Sequence, residues 1–270
     1  MPPRPTIVLS RFREHDSRRR AREDALLEAL AARGGLRVVV VPLLTDISPE
    51  GPSVARLKAA AGELVVLSWL HPRAAFWTLW ALGVRGEAPE PAAAEDAGAQ
   101  QPIRCLSLEG EAGAAGDLAA LEALLGLPPA GAGPSTIEEI DEATRPRWYP
   151  VVDFSRCSGC LECLEFCLFG VFGIGPEDEA AVEQPDACRN GCPACARVCG
   201  ARAIIFPLCD DPAVAGDLEA AMDRPSPGLA PGNPLITMIE PEGQPSPAED
   251  REAPPPPDRL DRLVDEIDDL

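Results

Sequence analysis

Eight of the ten cysteines stand in two short runs, CSGCLECLEFC (157 to 167) and CRNGCPACARVC (188 to 199). The first run places Cys157, Cys160, Cys163 and Cys167 at gaps of two, two and three residues. The second places Cys188, Cys192, Cys195 and Cys199 at gaps of three, two and three. Thiols massed at such spacings are metal or cluster ligands wherever the compartment keeps them reduced. Three thiolates at gaps of two can wrap three corners of an iron-sulfur cube, and the fourth leaves along the chain to serve the other cube. That logic assigns Cys157, Cys160, Cys163 and Cys199 to cluster 1. It assigns Cys188, Cys192, Cys195 and Cys167 to cluster 2. Structural zinc is the competing use, but it needs only four ligands per site, and the only histidines, His15 and His71, lie far off in sequence.

On these residues, 151 to 206 resembles a bacterial two-cluster ferredoxin domain. VDFSRCSGCLECLEFCLFGVFGI and CRNGCPACARVCGARAIIF carry the likeness, with Val151-Val152, Val171-Phe172 and Ile204-Ile205 as the short flanking strands. The resemblance implies an α+β dicluster fold, two [4Fe-4S] clusters and single-electron transfer between redox protein partners. Three features depart from that family. Leu168 and Gly200 follow the fourth cysteines where proline is usual, and the gap from Cys188 to Cys192 is one residue longer, with Asn190-Gly191 able to make the extra turn. The apolar set Leu161, Leu164, Phe166, Leu168, Phe169, Phe172 and Ile174 is expected to keep water off the clusters. With the acidic surround it points to a low potential. Of the two remaining cysteines, Cys105 falls in a predicted strand and reads as a core residue. Cys209 follows the second run.

The elements ahead of the cysteines alternate strand and helix. Strands are expected at 5–10, 36–41, 63–68 and 103–108, and helices at 16–33, 53–61, 71–83 and 116–126. Alternation of this kind gives a small three-layer α/β domain with a mostly parallel sheet over 1–127, interrupted by a flexible insertion at 87–101. A linker is expected at 128–150, the cluster domain at 151–209 and a Pro-rich disordered stretch at 210–257. A short acidic amphipathic helix at 258–270, with Leu260, Leu263, Val264, Ile267 and Leu270 on one face, is a possible partner-docking element.

No GxGxxG or GxxxxGK[ST] follows a strand, so nucleotide binding is unsupported. Strand ends are where such sheets bind ligands. That makes Arg11, Arg13, Arg18, Arg19, Arg20 and His15 after the first strand, and Trp69, His71, Arg73, Trp77 and Trp80 after the third, the residues to follow. A histidine after strand one also resembles the ligand histidine of class II tetrapyrrole chelatases, which implies, as an alternative, an enzyme acting on a metal or tetrapyrrole with accessory clusters. A third reading is an interaction protein with structural clusters. The net charge of −20 disfavours nucleic acid and anionic membrane as partners. With no apolar run of membrane length and no leader pattern, a cytoplasmic protein is expected.

Overall fold

In the computed structural model, the residues described are 4–87, 102–126 and 133–224. The insertion beyond Glu87, the Pro-rich stretch from residue 225 and the acidic helix at 258–270 lie outside them. Five parallel strands form one sheet: β1 (Thr6–Ser10), β2 (Arg37–Val41), β3 (Leu64–Ser68), β4 (Ile103–Ser107) and β5 (Thr136–Glu139), in the order β4-β3-β1-β2-β5. β1, β2 and β3 are runs of Val, Ile and Leu because a parallel sheet covered on both faces buries every side chain.

Successive residues go to opposite faces. Ile7, Leu9, Val38, Val40, Val65 and Leu67 meet Leu26 and Leu30 of α1 (Ser17–Arg33) and Leu121 of α4 (Gly113–Leu125). Val8, Val39, Val41, Leu64 and Val66 meet Val54 and Leu57 of α2 (Pro52–Lys58) and the apolar side of α3 (Pro72–Ala81). Asp16 caps α1 by accepting from the Arg19 N–H, and His71 caps α3 by accepting from the Arg73 N–H. Three layers result, as the alternation of elements predicts.

Two expectations change. β5 lies inside the segment read as a linker, 128–150. TIEE is polar and wholly exposed, because it is an edge strand that pairs through its backbone and buries no face, so no apolar run marks it. Further on, Trp148 stacks on Phe206 and Tyr149 is buried in the core. The stretch read as disorder from residue 210 begins instead with α7 (Pro212–Ala215) and α8 (Leu218–Met222). Asp217 caps α8, and buried Val214 and Ala221 tie the pair down.

The cysteine-rich segment folds as two small antiparallel pairs with two short helices. β6 (Val151–Val152) pairs with β9 (Ile204–Ile205), and β7 (Phe172–Ile174) pairs with β8 (Ala180–Val182). α5 (Glu162–Phe166) and α6 (Ala194–Val198) carry Cys163 and Cys195, and the other six cysteines of the two runs lie before or just after them. This segment shares a core with the sheet: Tyr149, Val151 and Ile205 pack into the α2–α3 side, and Trp77 of α3 meets Phe154 edge-on at 5.8 Å. Among the described residues, no helix is long and apolar enough to cross a membrane.

Candidate functional site

The two halves of the cysteine-rich segment repeat at an interval of 32 residues. Cys163 and Cys195 sit in the first turn of α5 and α6, and Cys167 and Cys199 cap their C-terminal ends, with Cys167 N–H donating to the Cys163 carbonyl and Cys199 N–H to the Cys195 carbonyl. Three residues beyond each capping cysteine the backbone turns left-handed, at Gly170 (φ 65°) and Arg202 (φ 53°). Helices of five residues do not hold themselves in water; α5 and α6 pack against each other and on the core that contains Val152, Val171, Phe172 and Phe206.

Two cavities result. One is lined by Cys157, Cys160, Cys163 and Cys199, together with Val152 and Ile204, and is nearly closed up, at about 20 Å³. The other is lined by Cys167, Cys188, Cys192 and Cys195, together with Val171 and Phe172, and is open, at about 780 Å³. The fourth cysteine of each run therefore faces the cavity of the other run. The extra residue between Cys188 and Cys192 is absorbed at Gly191, whose φ of 74° is a glycine conformation.

The thiols sense one another within each cavity. Burial first, then Cys199, Cys157 and Cys160, push Cys163 up to about 11. Burial, then Cys188 and Cys167, push Cys195 up to about 12. Burial, then Cys192 and Cys167, push Cys188 up to about 11. Burial and mutual repulsion thus both oppose the thiolate form of Cys163, Cys188 and Cys195.

A backbone donor is aimed at sulfur as well. The Ala203 N–H donates to Cys199 Sγ at 3.4 Å, and the neighbouring Leu164 and Ala196 N–H groups act against burial at the Cys163 and Cys195 thiols. Each cavity is thus lined by four thiols. Among the described residues, no three His, Cys, Asp or Glu side chains converge as a site for one metal ion.

The apolar set expected to keep water off the cysteines is buried only in part. Phe172 is buried and Leu161 and Leu164 half-buried, but Ile174 is exposed, and Phe166, Phe169 and above all Leu168, 92% accessible, face solvent beside the second cavity. Leu168 opens the turn after α5, where the chain runs over the surface and nothing packs above it.

The strand ends read differently from the sequence expectation. The arginines after β1 are held by acids. Arg11 bonds Asp24, Arg13 bonds Asp46 through two nitrogens at 2.7 and 2.9 Å, and Arg19 and Arg20 reach Glu109 and buried Glu23. Arg18 and His15 are exposed. His15 borders a cleft of about 810 Å³, while His71 borders a different one of about 530 Å³ together with Trp69, Arg19, Cys209 and Asp217. The second cleft sits where the connections leaving β1 and β3 go to opposite faces. This is the usual ligand position in such sheets, and residues 207–217 form one wall. Trp77 and Trp80 are packing residues on α3. Cys105 is on β4, partly buried against the core, and burial pushes its thiol up to about 12.

Sequence reasoning missed one feature of the site. Arg73 Nε donates to Asp153 Oδ2 at 2.6 Å and its Nη2 to the Arg202 carbonyl at 2.7 Å, which bonds α3 to the segment around Cys199. Burial pushes this guanidinium down from its ordinary value, while Asp153 and, further off, Cys199 push it up. Nothing in the spacing of residues 73, 153 and 202 announces the contact. No family model, curated protein or solved structure matches the chain.

Proposed function

We propose that this chain is an iron-sulfur electron-transfer protein that relays single electrons through two [4Fe-4S] clusters between protein partners. The observation that carries the reading is the partition of eight thiols into two four-thiol cavities, each completed by the fourth cysteine of the other run. When bound, each cluster accepts and returns one electron, at a potential set by burial, nearby charge and hydrogen bonds to sulfur. The chain's own residues supply those terms: thiols from α5, α6 and the turns on either side of them, the N–H donor at Ala203, and apolar walls at Val152, Val171, Phe172 and Ile204. The two antiparallel pairs and the repeat of 32 residues also suit a two-cluster ferredoxin domain.

The test is anaerobic counting of iron and acid-labile sulfide on the purified chain, followed by EPR during reductive titration. About eight irons and eight sulfides per chain, with a reducible interacting signal, is the expected result. Zinc without sulfide would retire the reading in favour of a metal-stapled interaction protein.

A further inference from the structure

We infer that Arg73, on α3 beside the parallel sheet, is a positioning residue that raises the reduction potential of cluster 1 by holding the peptide that donates to Cys199. The inference rests on the two-cluster reading. The Arg202–Ala203 peptide is the pivot. Its carbonyl accepts from Arg73 Nη2 at 2.7 Å, and its N–H donates to Cys199 Sγ at 3.4 Å. A cation on the carbonyl of an amide draws electron density from its nitrogen, so the N–H becomes a stronger donor to sulfur. Arg202 adopts φ 53° at this point, a conformation uncommon for a residue with a side chain, and the guanidinium grips the peptide that this turn presents. Arg156 Nε donates to the neighbouring Ala201 carbonyl at 3.1 Å. Two guanidiniums thus sit on the turn that follows the last ligand of cluster 1.

The matching turn after Cys167 is built otherwise. Gly170 holds the left-handed position, Leu168 is 92% accessible, and no side-chain hydrogen bond to this turn is present among those of the described residues. The two cavities are related by the 32-residue repeat but differ in surroundings: one turn is clamped by cations from below, the other is apolar and open to water. Positive charge and stronger N–H donation to sulfur both favour the reduced cluster. Losing the Arg73 clamp therefore makes cluster 1 harder to reduce by one electron from a low-potential reductant and leaves cluster 2 as it is.

The test is an anaerobic EPR titration with dithionite of the full chain and its Arg73→Gln, Arg73→Lys and Arg73→Gln/Asp153→Asn variants. Arg73→Gln removes the clamp and leaves Asp153 uncompensated, so it lowers the midpoint of one cluster by about 59 mV, a tenfold change in its reduction equilibrium. The other midpoint stays in place, and the one that moves is the one abolished by Cys160→Ser. The double variant, which also removes the carboxylate charge, shifts less. Arg73→Lys, which keeps a cation there, shifts least and serves if the glutamine variant does not fold. Unchanged midpoints in Arg73→Gln with full iron, or equal shifts in both clusters, would overturn the inference. A parent chain with no sulfide would instead defeat the two-cluster reading, and the inference with it.

Discussion

Asp153→Asn is the perturbation whose cost the structure sets most directly. The Asp153 side chain is 3% exposed and that of its partner Arg73 is 13% exposed. The substitution keeps the size of the side chain and an oxygen for the Ser155 N–H, which Asp153 Oδ1 now accepts at 3.0 Å. It removes the charge that compensates a buried guanidinium. Breaking one side of a buried pair costs about 3–5 kcal/mol. Arg73 retains the Arg202 carbonyl and some solvent, which argues for the lower end, about 3 kcal/mol. That is more than a hundredfold in the unfolding equilibrium, out of a total stability on the order of 5–15 kcal/mol. The assay is anaerobic urea unfolding of the full chain, followed by far-UV circular dichroism and by tryptophan fluorescence. Because the pair bonds α3 to the cysteine-rich segment, both probes should report one transition. Removing both charges in Arg73→Met/Asp153→Asn should be milder than the sum of the single changes by at least ~1 kcal/mol. Two single effects that add within about 0.5 kcal/mol would refute a coupled buried pair, as would a loss below ~1 kcal/mol for Asp153→Asn.

Three further outcomes are expected. Cys160→Ser should remove one cluster and leave absorbance and about half the iron with the other; retention of full iron would sink the ligand assignment. Glu23 is fully buried, and burial holds its carboxyl above the ordinary carboxylate range despite the Phe12 N–H and Trp69 Nε1 donors. The folded chain therefore binds more protons than the unfolded one from about pH 4.3 up to the raised value, so this group makes stability fall as pH rises through that window; Glu23→Gln should flatten that limb in urea midpoints taken across pH, and an unaltered slope would count against it. Cys105, with its thiol pushed up to about 12, should resist iodoacetamide at pH 8 in the native chain and react once denatured, as read by peptide mass spectrometry.

Sheet and helices were readable where burial demands a pattern. β1, β2 and β3 lie between two helical layers, so apolar runs mark them within a residue or two. β5 left no such mark because it needs only its backbone to extend the sheet. The helices at 212–222 were hidden because Pro212 and the acids around it resemble a linker; here Pro212 stands at the first helical position and Asp217 caps the next helix. Spacing set the eight thiols apart as two runs, whereas the packing of α5 on α6 is what carries Cys199 and Cys167 across to the other run. It carried no information on Leu168, whose exposure depends on what lies above the turn, or on Arg73, whose partners are 80 and 129 residues away.

The core that joins the cysteine-rich segment to the sheet bears on how this chain can be divided. A cut before Tyr149 would leave Tyr149, Val151 and Ile205 without the α2–α3 side of the sheet against which they are buried. It would also strip the Arg202 carbonyl of its donor from α3. The sheet in turn would show water the face of Trp77 that Phe154 now covers. The cysteine-rich segment is therefore no detachable cartridge: grafted elsewhere, it would need a replacement for the α3 surface before its thiols could take up the same arrangement.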